Sequence, residues 1–192
     1  MSPDEFFDTV DAVKATLIER AKSSFSTNGV VPTPQMWAFS STSSKGLMGY
    51  AVCRDYTRGA DAALGIGSLG ILADAMHADL LVLMWEEADL RTSLYGPSDD
   101  HPTGIVILEA TLHSHELTWH PFDFTVVGYN SAGLPRLDVR YGDSSDIKGG
   151  PLPEVIAKVL AEWRSRQVAS FEEARATIEG AAADGYQISL VA

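Results

Sequence analysis

His113, His115 and His120, with Glu109, Glu116 and Asp123 among them, form the densest group of metal-binding side-chain types in the chain. Imidazole nitrogens and carboxylate oxygens together suit a divalent cation such as zinc. If residues 109–115 run as one strand, Glu109, Thr111, His113 and His115 project to the same side. The expected site is then two histidines and one carboxylate, with His120 as a further ligand, and the chemistry would be metal-dependent hydrolysis. The same alternation, with Leu108, Ala110 and Leu112 between, equally describes the solvated side of a half-exposed strand.

A second set of carboxylates follows a long apolar run. Glu86 and Glu87 end the stretch from Leu80 to Trp85, and Asp89, Asp99 and Asp100 lie beyond. Paired carboxylates serve acid–base work or hold a hard cation. Neighbours in an extended strand face opposite sides, so Glu86 and Glu87 share one site only if the chain bends between them. A solvated loop mouth is the simpler expectation. Residues 93–103, with Gly96, Pro97, Ser98, Asp99, Asp100 and Pro102, read as a loop, the usual place for contact residues. Trp119, beside His120 and Pro121, has the character of an interface anchor. Trp85, Glu86, Glu87, Asp99, Asp100 and Trp119 are therefore the candidate binding surface, although all four tryptophans, Trp37, Trp85, Trp119 and Trp163, are read first as core or packing residues.

Gly65-Ile66-Gly67-Ser68-Leu69-Gly70 has the glycine spacing of a dinucleotide-binding turn, which makes a small-molecule or nucleotide site a further reading. That motif needs a strand running straight into the turn, and here residues 54–64 intervene. Glycines that let a buried helix pack closely are the preferred explanation. No Gly-x-Ser-x-Gly elbow or Walker loop is present, and Cys53 has no neighbouring partner that would mark it as a nucleophile. His113-Ser114-His115 is similar to the His-x-His of the JAMM metalloproteases. Glu116 stands where that family has proline, and its spaced serine and aspartate are not in register.

These residues must be positioned by elements with clear signals. Ser2-Pro3-Asp4-Glu5 is a capping box with proline at the first helical position, and Phe6, Val10, Val13, Leu17 and Ala21 recur at helical spacing; the helix is expected to end near Ser23. Short strands are expected over 36–39 and 47–53, a mostly buried helix over 61–78, and a central strand over 80–85. Further strands are expected over 104–112, 122–129 and 137–141, the last two joined by Asn130-Ser131-Ala132-Gly133. Pro151 and Pro153 introduce a helix with the stripe Val155, Ile156, Val159, Leu160 and Trp163. Ser170 and Glu173 form a second capping box for a helix to Ala183, and a final strand occupies 186–191. The class is α+β: one domain over 1–192, with a mostly antiparallel sheet of about five to seven strands covered by about four helices.

Composition limits the functions. Charge of −12 disfavours direct binding to nucleic acid or an anionic membrane. A lone cysteine, no signal-peptide pattern and no apolar run of membrane-spanning length give the expectation of a cytoplasmic protein. The stretch 78–88, the loop 97–102 and the strand 104–109 together resemble small proteins of actinobacteria and their phages, which place a helix, a buried strand ending in an acidic and aromatic cluster, a proline-bearing loop and a strand in that order. The resemblance covers about a third of the chain and implies a source, not a mechanism; a phage-like accessory or regulatory factor is the expectation from the acidic charge, the loop over 93–103 and the lack of a complete catalytic signature. The preferred expectation is a non-enzymatic protein acting on another protein through its acidic, loop-rich surface, with self-association a further expectation. No cofactor is expected on that reading. The metal-dependent hydrolase at His113 and His115 is the alternative.

Overall fold

A computed structural model describes residues 1–30, 32–165 and 170–191. Helix α1 (Pro3–Asn28) starts where the sequence places it. Ser2 Oγ accepts from the Glu5 backbone N–H, and Glu5 accepts from the Ser2 N–H at 2.7 Å. The helix runs past Ser23 to Gly29, whose left-handed conformation (φ 62°) closes it. Strands β1 (Gln35–Phe39) and β2 (Leu47–Val52) form the expected hairpin.

The helical stretch that follows is two short helices, α2 (Ala60–Gly67) and α3 (Leu69–Ala75), broken at Ser68. Next come β3 (Leu80–Glu86), α4 (Glu87–Tyr95), β4 (Gly104–Thr111), β5 (His115–Tyr129), β6 (Pro135–Tyr141) and β7 (Ser145–Lys148). Helices α5 (Glu154–Ser165) and α6 (Phe171–Ala183) and strand β8 (Gln187–Leu190) complete the order. Among the described residues there are eight strands and six helices, more than the sequence pattern suggests. The additions are β7, α4 and the split at Ser68, all too short or too polar to carry a periodic signal.

All strands join one sheet in the order β6-β5-β4-β3-β1-β2-β8, with β7 paired to the first half of β5 and β6 to its second half. Every pairing is antiparallel. The central strand β3 is buried along its whole length because helices cover both faces. Leu80, Val82 and Met84 meet Phe6, Val10, Leu17 and Phe25 of α1. Leu81, Leu83 and Trp85 face the opposite layer, built from α2, α3 and α5. Gly70 sets the depth of that layer. A Cβ there would overlap the Val159 carbonyl, so only glycine lets α3 lie directly against α5.

Cys53 belongs to the same layer and is 4 % exposed. Burial pushes its thiol up to about 12 from 9.0, so the thiolate population at pH 8 falls roughly a thousandfold. A disulfide reagent such as DTNB should leave Cys53 unmodified in the native protein and label it fully in denaturant. Rapid native labelling would contradict this packing. Among the described residues no helix is long and apolar enough to cross a membrane.

Candidate functional site

The register of the sheet carries Trp85, Val106 and Trp119 into one row across β3, β4 and β5, because directly paired residues share a face. Leu83, Leu108, Leu117 and Ile147 form the next row, ending on β7. Helix α5 covers the inner part of this surface. Its outer part stays open beneath Pro151, Leu152 and Pro153, leaving a cleft of about 530 Å³ lined chiefly by Trp85, Val106, Leu117, Trp119 and Ile147. This volume lies within the roughly 300–1,000 Å³ common for ligand sites. Glu87, Arg91 and Pro102 line the rest of it.

Two adjacent glutamates organise this end. Glu86 is not in a solvated mouth as the charge pattern suggests; it is 4 % exposed. Its carboxylate accepts from the backbone N–H groups of Ala88 (3.1 Å), Asp89 (2.6 Å) and Gly104 (3.1 Å). It thereby caps α4 and ties β3 to the start of β4. Burial raises its carboxyl above the ordinary range, against the lowering effect of the Asp89, Gly104 and Ala88 donors.

Glu87 is also buried. The turn from β3 into α4 supplies the bend that lets both glutamates point inward. Glu87 accepts from the Trp85 indole N–H at 2.7 Å and from Arg91 Nε at 2.7 Å. Arg91 reaches the surface with 43 % of its side chain exposed. The cleft is thus apolar with one hydrogen-bonded ion pair at its edge.

Trp119 is half-buried and lies over Gly104, where any Cβ would overlap the indole ring. The segment above the cleft is tethered by His115. Its Nε2 donates to the Gly150 carbonyl at 2.9 Å, and the Gly149 N–H donates to the His115 carbonyl at 3.0 Å.

Glu109, His113 and His115 border one open depression with Glu116, but the expected metal set does not converge there. The chain turns back at residues 112–114, so Glu109 and His115 lie on different strands. His115 pairs with Ala110, whereas Glu109 pairs with Glu116, which puts them on opposite faces of the sheet. Glu109 is held by Lys14 Nζ at 2.8 Å. His113 is exposed in the hairpin turn. His120 pairs with Ile105 at the other end of β4, and burial followed by Lys22 lowers its imidazole pKa, with Asp146 opposing. Among the described residues no three His, Cys, Asp or Glu side chains are grouped to hold a metal ion. The single-strand premise failed because Leu112-His113-Ser114 forms a reversal, closed by the Ser114 carbonyl accepting from the Thr111 N–H at 3.0 Å.

The structure therefore gathers Trp85, Glu87 and Trp119 from the candidate binding surface into one cleft and assigns Glu86 to its support. Asp99 and Asp100 are exposed in the segment that precedes Pro102. Sequence reasoning missed Arg91, Val106, Leu117, Ile147 and the roof at 151–153. Ile147, a lone apolar residue in a polar stretch, was the one available signal. Gly65 and Gly67 lie inside α2 and Gly70 inside α3, and no strand enters directly ahead of them. Compared with family models, curated proteins and solved structures, the chain matches none.

Proposed function

We propose that this is a non-enzymatic binding protein whose recognition site is the cleft between Trp85, Trp119 and the 151–153 segment. Its ligand is an apolar side chain presented by a basic segment of another protein. The observation that supports this most directly is half-buried Trp119 and exposed Ile147 flanking a concave apolar floor of Trp85, Val106 and Leu117, beside a buried glutamate. Large aromatic residues in a concave, partly desolvated patch are the usual anchors of protein recognition. The flanking charge favours a basic partner. Asp99 and Asp100 precede the rim residue Pro102 in the chain, Glu154 follows Pro153, Glu87 already occupies Arg91, and the chain carries a charge of −12. Electrostatic attraction of this kind speeds encounter and discriminates among partners more than it adds affinity.

Selection of peptides from a random display library against the full chain tests this reading. Enriched sequences should carry a leucine or aromatic residue flanked by lysine or arginine, and their binding should shift tryptophan emission. Ile147→Lys should weaken them about tenfold or more, since Ile147 is 46 % exposed and its replacement adds a repelling charge at the rim without emptying the core. Binders indifferent to both Ile147→Lys and Trp119→Ala, or enriched in acidic residues, would overturn it.

A further inference from the structure

The two edges of the sheet are built differently. Strand β6 opens with Pro135 and carries Arg136, Asp138 and Arg140, devices that stop a sheet edge from recruiting another strand. Strand β8, Gln187-Ile188-Ser189-Leu190, has no charge, proline or bulge. Among the described residues its backbone pairs with β2 on one side only. The Val191 N–H donates to the Met48 carbonyl at 2.9 Å. By the alternation of an antiparallel ladder, Gln187 and Ser189 also bond toward β2, while the N–H and C=O groups of Ile188 and Leu190 point away from the sheet.

The neighbouring helix is equally unfinished. Of its side chains α6 buries only Ala174. Phe171 is 79 % exposed and Leu190 53 % exposed. An apolar groove of about 580 Å³ runs between α6 and β8, lined by Met48, Met76, Phe171, Ile178, Leu190 and Val191.

We propose that this edge is a homodimer interface in which two copies of β8 pair antiparallel about a two-fold axis at Ser189. In that register each Ile188 exchanges its free backbone hydrogen bonds with the partner's Leu190, and each Ser189 faces the partner's Ser189. A second copy is the occupant because the edge complements itself. Free donors and acceptors match under the two-fold, Ile188 meets the partner's Leu190 on the face that carries α6, and no like charges oppose each other along the seam. Helix α6 adds charge complementarity. Arg175 and Glu179, paired at 2.7 Å and both exposed, exchange partners when two such helices run antiparallel, so that Arg175 approaches the partner's Glu179. The charge of −12 on each copy opposes association at long range, so the dimer tightens as salt screens it. This inference stands independently of the cleft.

Sedimentation equilibrium of the full chain across the micromolar range provides the test. The expected mass at high concentration is twice the 20.7 kDa of the protomer, with a dissociation constant that falls between low and moderate salt. Ser189 is exposed, so Ser189→Glu and Ser189→Lys leave the fold unstrained while placing like charges opposite each other. Each alone should weaken the dimer about tenfold or more, and an equimolar mixture of the two should restore it. Leu190→Pro, which removes an outward donor and keeps the ladder to β2, should give a monomer with an unchanged circular dichroism spectrum. A protein that is monomeric at every concentration and salt, or a dimer indifferent to both Ser189 variants, would overturn the proposal. A mixture that fails to reassociate would overturn the two-fold register.

Discussion

Trp85→Ala is expected to lower the stability of the folded chain by about 3–5 kcal/mol, the usual cost of truncating a fully buried tryptophan. Trp85 is 1 % exposed and lies in the cluster formed by the sheet and the helices opposite α1. Two effects add. The cavity left between β3, β4 and α5 cannot collapse, because the strand register fixes Val106 beside it. The indole also donates to Glu87, and its removal leaves a buried carboxylate oxygen without that donor, at about 1–3 kcal/mol. The two contributions overlap and are not summed. Trp85→Phe separates them, since it retains most of the packing but not the N–H, and should cost the smaller amount. Urea unfolding checks both through a shift in midpoint at constant slope. A shift for Trp85→Ala of less than about 1 kcal/mol would contradict the buried placement.

Glu86→Ala should cost about 2–4 kcal/mol, more than an exposed helix cap, because three backbone N–H groups lose their acceptor together. The N–H groups of Ala88 and Asp89 open α4, and that of Gly104 begins β4, so the loss loosens both elements that frame the cleft. Glu86→Gln keeps one acceptor oxygen but turns an amide N–H₂ toward a donor, giving an intermediate loss.

The pH dependence distinguishes these variants from a simple packing defect. The folded-state pKa of Glu86 is raised, chiefly by burial. The folded chain therefore binds this proton more tightly than the unfolded chain. The resulting stabilisation is fully present below the unfolded carboxylate value and is lost as pH rises through the raised folded value. Unfolding free energies measured across the mildly acidic range should contain this declining limb in the parent and lack it in Glu86→Gln. A parent and variant with parallel pH profiles would show that Glu86 does not titrate in this way.

Much of the layer structure was legible from local chemistry. Both capping boxes, at Ser2 and Ser170, form as written, since a cap needs only neighbours within one turn. The buried run at 80–85 becomes the central strand because uninterrupted apolar residues must be covered on both faces. The stripe from Val155 to Trp163 forms α5 and is buried as its periodicity requires. Where the reading departed from the fold, competing local signals were close to balance. Residues 109–115 alternate well enough for one strand, yet Leu112-His113-Ser114 reverses the chain and carries His115 to the face away from Glu109. Glu86 and Glu87 look solvated in isolation, because charge alone favours water; only the N–H groups of Ala88, Asp89 and Gly104 and the side chains of Trp85 and Arg91 make their burial tolerable.

The cleft rests on information of a different kind. Trp85 and Trp119 stand far apart in the chain, and no motif joins them. They line one cleft, with Val106 between them, because β3, β4 and β5 pair in one register, and a slip by one residue would send Trp119 to the opposite face. Residue types and short-range spacing dictated the α+β class, the helix starts and the apolar interior, all consequences of contacts within a few residues. Long-range pairing decided which side chains became neighbours. It left an open pocket beneath the 151–153 segment.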